Sequence, residues 1–297
     1  MNAGYICKSN TLQSGPMTKT SKEYLSDILK LNLEKIEFEW LMDAIAQVVD
    51  AKSRKNLYMT YSLSTSKIKD MPIHVFGEKD FQWSSYLEQQ NASTLEMSRI
   101  LLLLSVLESD EVFLKPVQQL IQISDKTELE TFLKYLVLLP KPEHFKFASV
   151  EALRTNIATV FNAISQMNPY PSRYFTTAEW NQMYLKSAFM QQDLKKIPDV
   201  DKMANKDLTR IVSDYAHERW AASRDIDPMF WRPVSPFLEA ALIEDMERLF
   251  QSENEREQKA ATLVCFHSDT EAGKKLLKTY NTHLEKAEKG ELTWKNL

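Results

Sequence analysis

Between Gly77 and Gly273 the chain contains no glycine, and only five occur in its 297 residues (Gly4, Gly15, Gly77, Gly273 and Gly290). This scarcity restricts the fold more than any motif does. Hairpin turns and the loops of βαβ units call repeatedly for backbone positions with φ above zero, which glycine occupies without steric cost. A chain that lacks glycine for so long must turn by other means. Helices joined by short proline, serine or asparagine turns meet that condition, so the expected class is all-α. The same scarcity removes a glycine-rich phosphate cradle of either the Walker or the dinucleotide type.

Helix starts are marked by the capping-box pattern, Ser or Thr followed three residues later by Glu. It recurs at Thr20/Glu23, Ser93/Glu96, Thr176/Glu179, Ser252/Glu255 and Ser268/Glu271. Asp125/Glu128 and Pro142 mark two further starts. Together these predict helices at about 20–31, 33–53, 94–107, 110–123, 126–139, 143–166, 177–190, 205–223, 236–250, 254–266 and 270–288. The pairs 94–107/110–123 and 126–139/143–166 resemble the two-helix units of a solenoid. No fixed period relates them. The expected architecture is therefore an irregular α-solenoid-like stack of antiparallel helix pairs, HEAT-like, with no sheet of note.

The region 56–92 mixes Tyr58, Tyr61, Phe76, Phe81, Trp83 and Tyr86 with Pro72 and Gly77 and shows no sustained period. It reads as a long, mostly irregular connection held on the helices by its aromatics. Residues 1–19 read as a disordered tail. The expected organisation is that tail, then N-terminal helices plus the connection over 20–92, then a helical core over 93–297 packed with the N-terminal helices as one unit.

A net charge of −4 and a pI near 5.9 argue against nucleic acid as a partner, since phosphate binding calls for clustered positive charge. Cys7 and Cys265 are far apart and lack metal-like spacing, which suits a reducing compartment without disulfides. The stretch Met1 to Lys19 is polar, with no apolar run behind a basic start. The longest apolar runs, Ile100–Val106 and Tyr135–Leu139, fall far short of the roughly 20 residues a membrane-spanning helix needs. A soluble, cytoplasmic protein without a membrane span is expected.

Polar side chains intrude on apolar surfaces between Arg154 and Arg219. On the helix predicted at 143–166 the stripe is Val150, Leu153, Ile157, Val160, Phe161 and Ile164, with Arg154 at its edge. On 205–223 the stripe is Leu208, Ile211, Val212, Tyr215 and Ala222, with Arg219 near its centre. A guanidinium in such a place needs a carboxylate, backbone carbonyls or an anionic ligand. Two readings stay open: an ion pair with Asp214, Glu218 or Glu179, the commoner arrangement, or a site for a carboxylate or phosphate. Helix 177–190 is apolar nearly all round, so Asn181, Gln182 and Lys186 are expected to hydrogen-bond inside the protein. Asn168-Pro-Tyr-Pro171 is a rigid turn leading toward that helix, and Asn181 is expected to bond its backbone.

Metal and nucleophile chemistry find little support. His217-Glu218-Arg219-Trp220-Ala221 begins like the H-E-x-x-H zinc motif, but alanine stands where the second histidine belongs. Asp214-x-x-His217 has the carboxylate–histidine spacing of di-metal bundles, yet no second pair faces it. Cys265 sits in the apolar run Ala261–Phe266 and reads as a small core residue. No catalytic residue, metal ligand or cofactor is expected from these patterns.

Arg154-Thr-Asn156, Asn168-Pro-Tyr-Pro171, Tyr174-Phe175, Trp180-Asn-Gln-Met183 with Leu185-Lys186, Asp214-Tyr-Ala-His-Glu-Arg-Trp220 and Phe230-Trp-Arg232 together resemble the EboA family. The resemblance is dense from about 150 to 236, looser over 94–149, present again at Gly290–Trp294, and weak over 1–92. EboA-like proteins are encoded beside a prenyltransferase, a dehydroquinate-synthase-like protein, a hydrolase or isomerase and a phosphatase-like protein. Such clusters are tied to the handling and export of secondary-metabolite precursors, as with the cyanobacterial sunscreen pigment scytonemin. The resemblance implies an accessory role, with a small-molecule metabolite or proteins of the same gene cluster as partners. It carries no catalytic residues over.

The expected function is thus a cytoplasmic helical scaffold that binds a metabolite or a partner enzyme. An enzyme acting on an anionic or isoprenoid-linked metabolite held by Arg154, Lys186 and Arg219 is the alternative, and a purely structural adaptor a third. The candidate ligand contacts are Arg154, Asn156, Asn168, Tyr170, Asn181, Lys186, Asp214 and Arg219.

Overall fold

A computed structural model describes residues 19–74 and 83–297 of the chain. The tail read at 1–19 and the aromatics Phe76 and Phe81 lie almost wholly outside the described residues. The described chain is all-α, and its extended pairing is limited to one isolated bridge between Pro72 and Ser93. Two compact units divide it, one ending at Phe113 and the other running from Leu114 to Leu297.

The first unit contains α1 (Ser21–Asn32), α2 (Lys35–Ala51), α3 (Arg54–Lys67), α4 (Ser84–Gln89) and α5 (Thr94–Ser109). Helix α5 is its centre: every residue from Thr94 to Val106 except Glu96 is buried, and α1, α2 and α3 pack around it. A helix apolar on all sides has to be surrounded. The Ser93 hydroxyl accepts from Glu96 N–H and the Glu96 carboxylate from Ser93 N–H, so the capping box read from sequence fixes its start. Arg99, buried on α5, donates to the Tyr61 carbonyl at 3.2 Å and to Thr65 Oγ1 at 2.8 Å, tying α5 to α3. Among its described residues, the segment read as mostly irregular is largely helical, in α3 and α4. Its apolar face is narrow (Leu57, Tyr61 and Ser64 are its buried residues), which is why no period showed in the sequence.

The second unit breaks several expected long helices into short ones. Helices α6 (Leu114–Gln118) and α7 (Leu120–Ile123) replace the single one expected at 110–123; Pro116 has no N–H to continue the ladder. Helix α8 (Lys126–Lys134) passes into a 3₁₀ turn at Leu136–Leu138. The helix expected at 143–166 is a 3₁₀ turn Pro142–Phe145, then α9 (Lys146–Ala152), then a break, then α10 (Ala158–Ser165). There follow α11 (Tyr170–Tyr174), α12 (Thr177–Phe189), α13 (Val200–Met203) and α14 (Lys206–Ala221). Pro228–Phe237, with Pro233 and Pro236, forms a 3₁₀ run whose Phe230, Trp231 and Val234 are buried against α14 and the later α16. Helices α15 (Ile243–Phe250), α16 (Glu255–Phe266), α17 (Glu271–Thr279) and α18 (Leu284–Glu288) complete the unit. Cys265 is a buried core residue, and burial pushes its thiol pKa up to about 12.

Left-handed backbone is not avoided but is carried by other residues: Lys52, Asn91, Lys141, Met167, Gln191, Asp199 and Ser223 all have φ between 46° and 58°. Each sits at a helix end or a turn, where a residue with a Cβ pays a modest strain. Among the described residues no helix is long and apolar enough to cross a membrane.

Candidate functional site

The polar residues singled out in the sequence fall in the second unit and divide into structural staples and one concave surface. Asn168 is a staple. Its side-chain amide donates to the Ala163 carbonyl at 2.8 Å and the Leu133 carbonyl at 3.1 Å, and its Oδ1 accepts from Tyr170 N–H at 2.9 Å. Tyr170 is buried beside it and donates its hydroxyl to the Pro142 carbonyl at 2.7 Å; burial pushes its phenol pKa upward.

Asn181 does not bond the Asn168–Pro171 turn. It forms a reciprocal amide pair with Asn205, Nδ2 to Oδ1 at 3.1 Å and the reverse at 2.9 Å, and Asn205 in turn accepts from Leu208 N–H as the N-cap of α14. The pair pins α12 to the start of α14. We expect Asn181→Leu to lower unfolding free energy by about 2 kcal/mol, because it removes a buried amide and leaves Asn205 only its bonds to the Met203 carbonyl and Leu208 N–H. Equilibrium denaturation reads this directly, and an unchanged midpoint would show that water replaces the pair.

Lys186 is also turned to backbone. Its Nζ donates to the carbonyls of Leu153 and Thr155, both at 2.7 Å, and lies 5.7 Å from the Phe161 ring centre. Burial draws its pKa below the usual lysine value. Gln182, expected inside with these two, is exposed.

The two arginines part company. Arg154 falls in the break after α9 rather than on a continuous stripe; its side chain is 78% exposed and meets Glu151 at 3.2 Å. Asn156 is exposed beside it and Asp214 is exposed on α14. Arg219 is half-buried near the end of α14 and lines a groove of about 620 Å³. None of the expected carboxylates reaches it, and Glu179 pairs with Lys146 at 2.9 Å instead. Arg219 donates through Nε (3.0 Å) and a terminal nitrogen (2.7 Å) to the Asp225 backbone carbonyl. A carbonyl fixes the guanidinium without cancelling its charge. Arg224 and Arg256 line the same groove; Arg256 lies 3.7 Å from Asp227, while the exposed Arg224 side chain makes no ion pair among the described residues.

A second groove, of about 930 Å³, lies along the other residues of α14 and meets α15. His217 and Trp220 line it, and so does a residue the sequence reading passed over, Asp245. Asp245 is 3% exposed and holds the His217 Nε2 at 2.6 Å. In sequence it is one acid in Ile243-Glu-Asp-Met-Glu-Arg248, and nothing local separates it from the solvated Glu244 and Glu247 around it. The apolar partners Met246 and Leu249 give the only hint, since they put Asp245 on the inward face.

No curated protein and no solved structure matches the chain. The family model described as metabolite traffic protein EboA matches residues 21–235. That match begins at the start of α1, so the likeness reaches well N-terminal of the residues that displayed it. It covers α14 with Arg219 and Arg224, while Asp245, Arg256 and the motif at Gly290–Trp294 lie beyond it. By a match over that much of its length, the chain belongs to the EboA family.

Proposed function

We propose that this protein serves metabolite traffic as a non-catalytic carrier or scaffold, holding a small anionic molecule in the Arg219 groove. The ligand class is a carboxylate- or phosphate-bearing metabolite, such as a secondary-metabolite precursor, and the setting is the cytoplasm, with proteins of the same gene cluster as receivers. One observation carries the reading. Arg219 is fixed on a concave wall by a backbone carbonyl and forms no ion pair among the described residues, and the arginines lining the groove (Arg219, Arg224 and Arg256) outnumber its carboxylates (Asp225 and Asp227). An arginine held in this way presents its remaining donors to a planar or tetrahedral oxyanion at little entropic cost.

Pyrophosphate and citrate are suitable probes, titrated calorimetrically into the full chain. Arg219→Gln should weaken binding at least about tenfold, the loss of one charge-assisted contact worth roughly 1.5 kcal/mol or more. Arg154→Gln should leave it unchanged, because Arg154 lines neither groove. Absence of heat with both anions, or equal affinity in the Arg219 variant, would overturn the reading.

A further inference from the structure

The larger groove has a chemistry of its own. Asp245 stands in the first turn of α15 with both carboxylate oxygens engaged: Oδ1 lies 2.6 Å from His217 Nε2 and Oδ2 accepts from the Ser213 hydroxyl at 2.6 Å. An ionised carboxylate can only accept, so the proton of the histidine bond resides on Nε2. In the neutral ring this leaves Nδ1 as the basic nitrogen. The ring is oriented by more than that bond. Trp220 lies against it with centroids 5.6 Å apart, Trp220 stacks on the buried Trp231, and the Arg248 guanidinium lies 4.2 Å from the Trp220 ring centre. The His217 side chain is nevertheless 61% exposed and lines the groove. A buried carboxylate that orients an open imidazole is the base half of a hydrolytic site.

We propose that His217, oriented by Asp245, is a general base that activates water against an uncharged ester bound along Trp220. Ser213 donates its proton to Asp245 and so is not the nucleophile, a role that falls to water. Nδ1 takes a proton from the water as its oxygen bonds to the acyl carbon. The carbon–oxygen bond to the leaving group then breaks, and that proton returns to the departing alkoxide or passes to solvent when the leaving group is a stable phenolate. The products are an acid and an alcohol. Arg248 supplies the positive charge for the oxyanion that forms in between. An anionic substrate is disfavoured because Glu244 and Glu247 from α15 and Glu257 from α16 share the groove with Asp245, and an uncharged ester escapes that repulsion. This inference does not rest on anion binding: the two grooves share Asp225, but Arg219 does not line the His217 groove and His217 does not line the Arg219 groove.

p-Nitrophenyl acetate, with the full chain, is the probe. The expected result is saturable hydrolysis above the buffer rate. His217→Gln should return the rate to that of buffer, a loss of at least about tenfold for a positioned base. His144→Gln, an exposed histidine elsewhere, should leave it unchanged. Because Asp245 is buried and its replacement can unfold the chain, its role is read from the nitrogen NMR of His217: the wild type should show the Nε2–H tautomer, and Asp245→Asn should lose that bias. Hydrolysis that is equal in the wild type and His217→Gln, or absent from both, would overturn the proposal.

Discussion

Replacing Asn168 with alanine is expected to lower the free energy of unfolding by about 3 kcal/mol, which for a unit of this size is a melting decrease of roughly 6–12 °C. The reason is the position of Asn168 behind a helix that ends without glycine. Met167 follows α10 with φ +50° and donates its N–H to the Lys196 carbonyl at 2.6 Å instead of back into the helix. The Ala163 carbonyl is served by the Asn168 amide instead, which also takes the Leu133 carbonyl and caps Tyr170 N–H. Alanine abandons all three groups at a fully buried site. Asn168→Asp should fare no better, because a carboxylate oxygen would then face two carbonyls that need a donor. Urea denaturation with near-ultraviolet circular dichroism or fluorescence readout of the tryptophans measures the change. A loss under about 1 kcal/mol would mean that water enters and replaces the amide.

The all-α class was legible from the recurring helix starts and the scarcity of glycine together, although other residues such as Lys52, Asn91 and Met167 supply the left-handed positions. The capping boxes at Thr20, Ser93, Asp125 and Thr176 were legible because both partners lie three residues apart, but the same spacing misleads at Ser252/Glu255 and Ser268/Glu271, where the caps are Asn254 and Thr270. Helix continuity was harder to read. The stripe Val150–Ile164 keeps its spacing through Leu153–Ile157, yet the backbone breaks there, and the donor that satisfies the exposed carbonyls is Lys186 from another helix. Helix α3 was missed because the face it buries against α2 and α5 is so narrow.

The site was legible only where one helix defines it. Arg219 could be placed on the face of α14 that carries Tyr215 and Leu208, and its groove opens there. Its partner could not be foreseen, because it is the Asp225 main-chain carbonyl, which has no side-chain signature. Arg154 was misplaced by the unbroken helix assumed for it. Asp245 is separated from His217 by 28 residues, and only the packing of α15 against the end of α14 brings the two together. Contacts made by folding two elements onto each other leave no spacing rule in a single sequence.

Lys186 tests whether the polar residues of α12 serve the fold or a ligand. We expect Lys186→Met to lower unfolding free energy by about 2–3 kcal/mol, since hydrogen bonds from a charged donor contribute roughly 1.5–3 kcal/mol and water partly substitutes at a half-exposed site. Methionine keeps the apolar stem against Phe161, so the loss isolates the two bonds to the Leu153 and Thr155 carbonyls. Those carbonyls mark the end of α9, where a positive charge also meets the negative pole of the helix. Hydrogen exchange should quicken in the segment 153–157 before it does so in α12, because the break there loses its clasp while the helix keeps its own ladder. Pyrophosphate affinity in the same variant gives the discriminating result. Unchanged binding with lowered stability makes Lys186 a staple, whereas lost binding at unchanged stability would move the anion site from Arg219 toward α12.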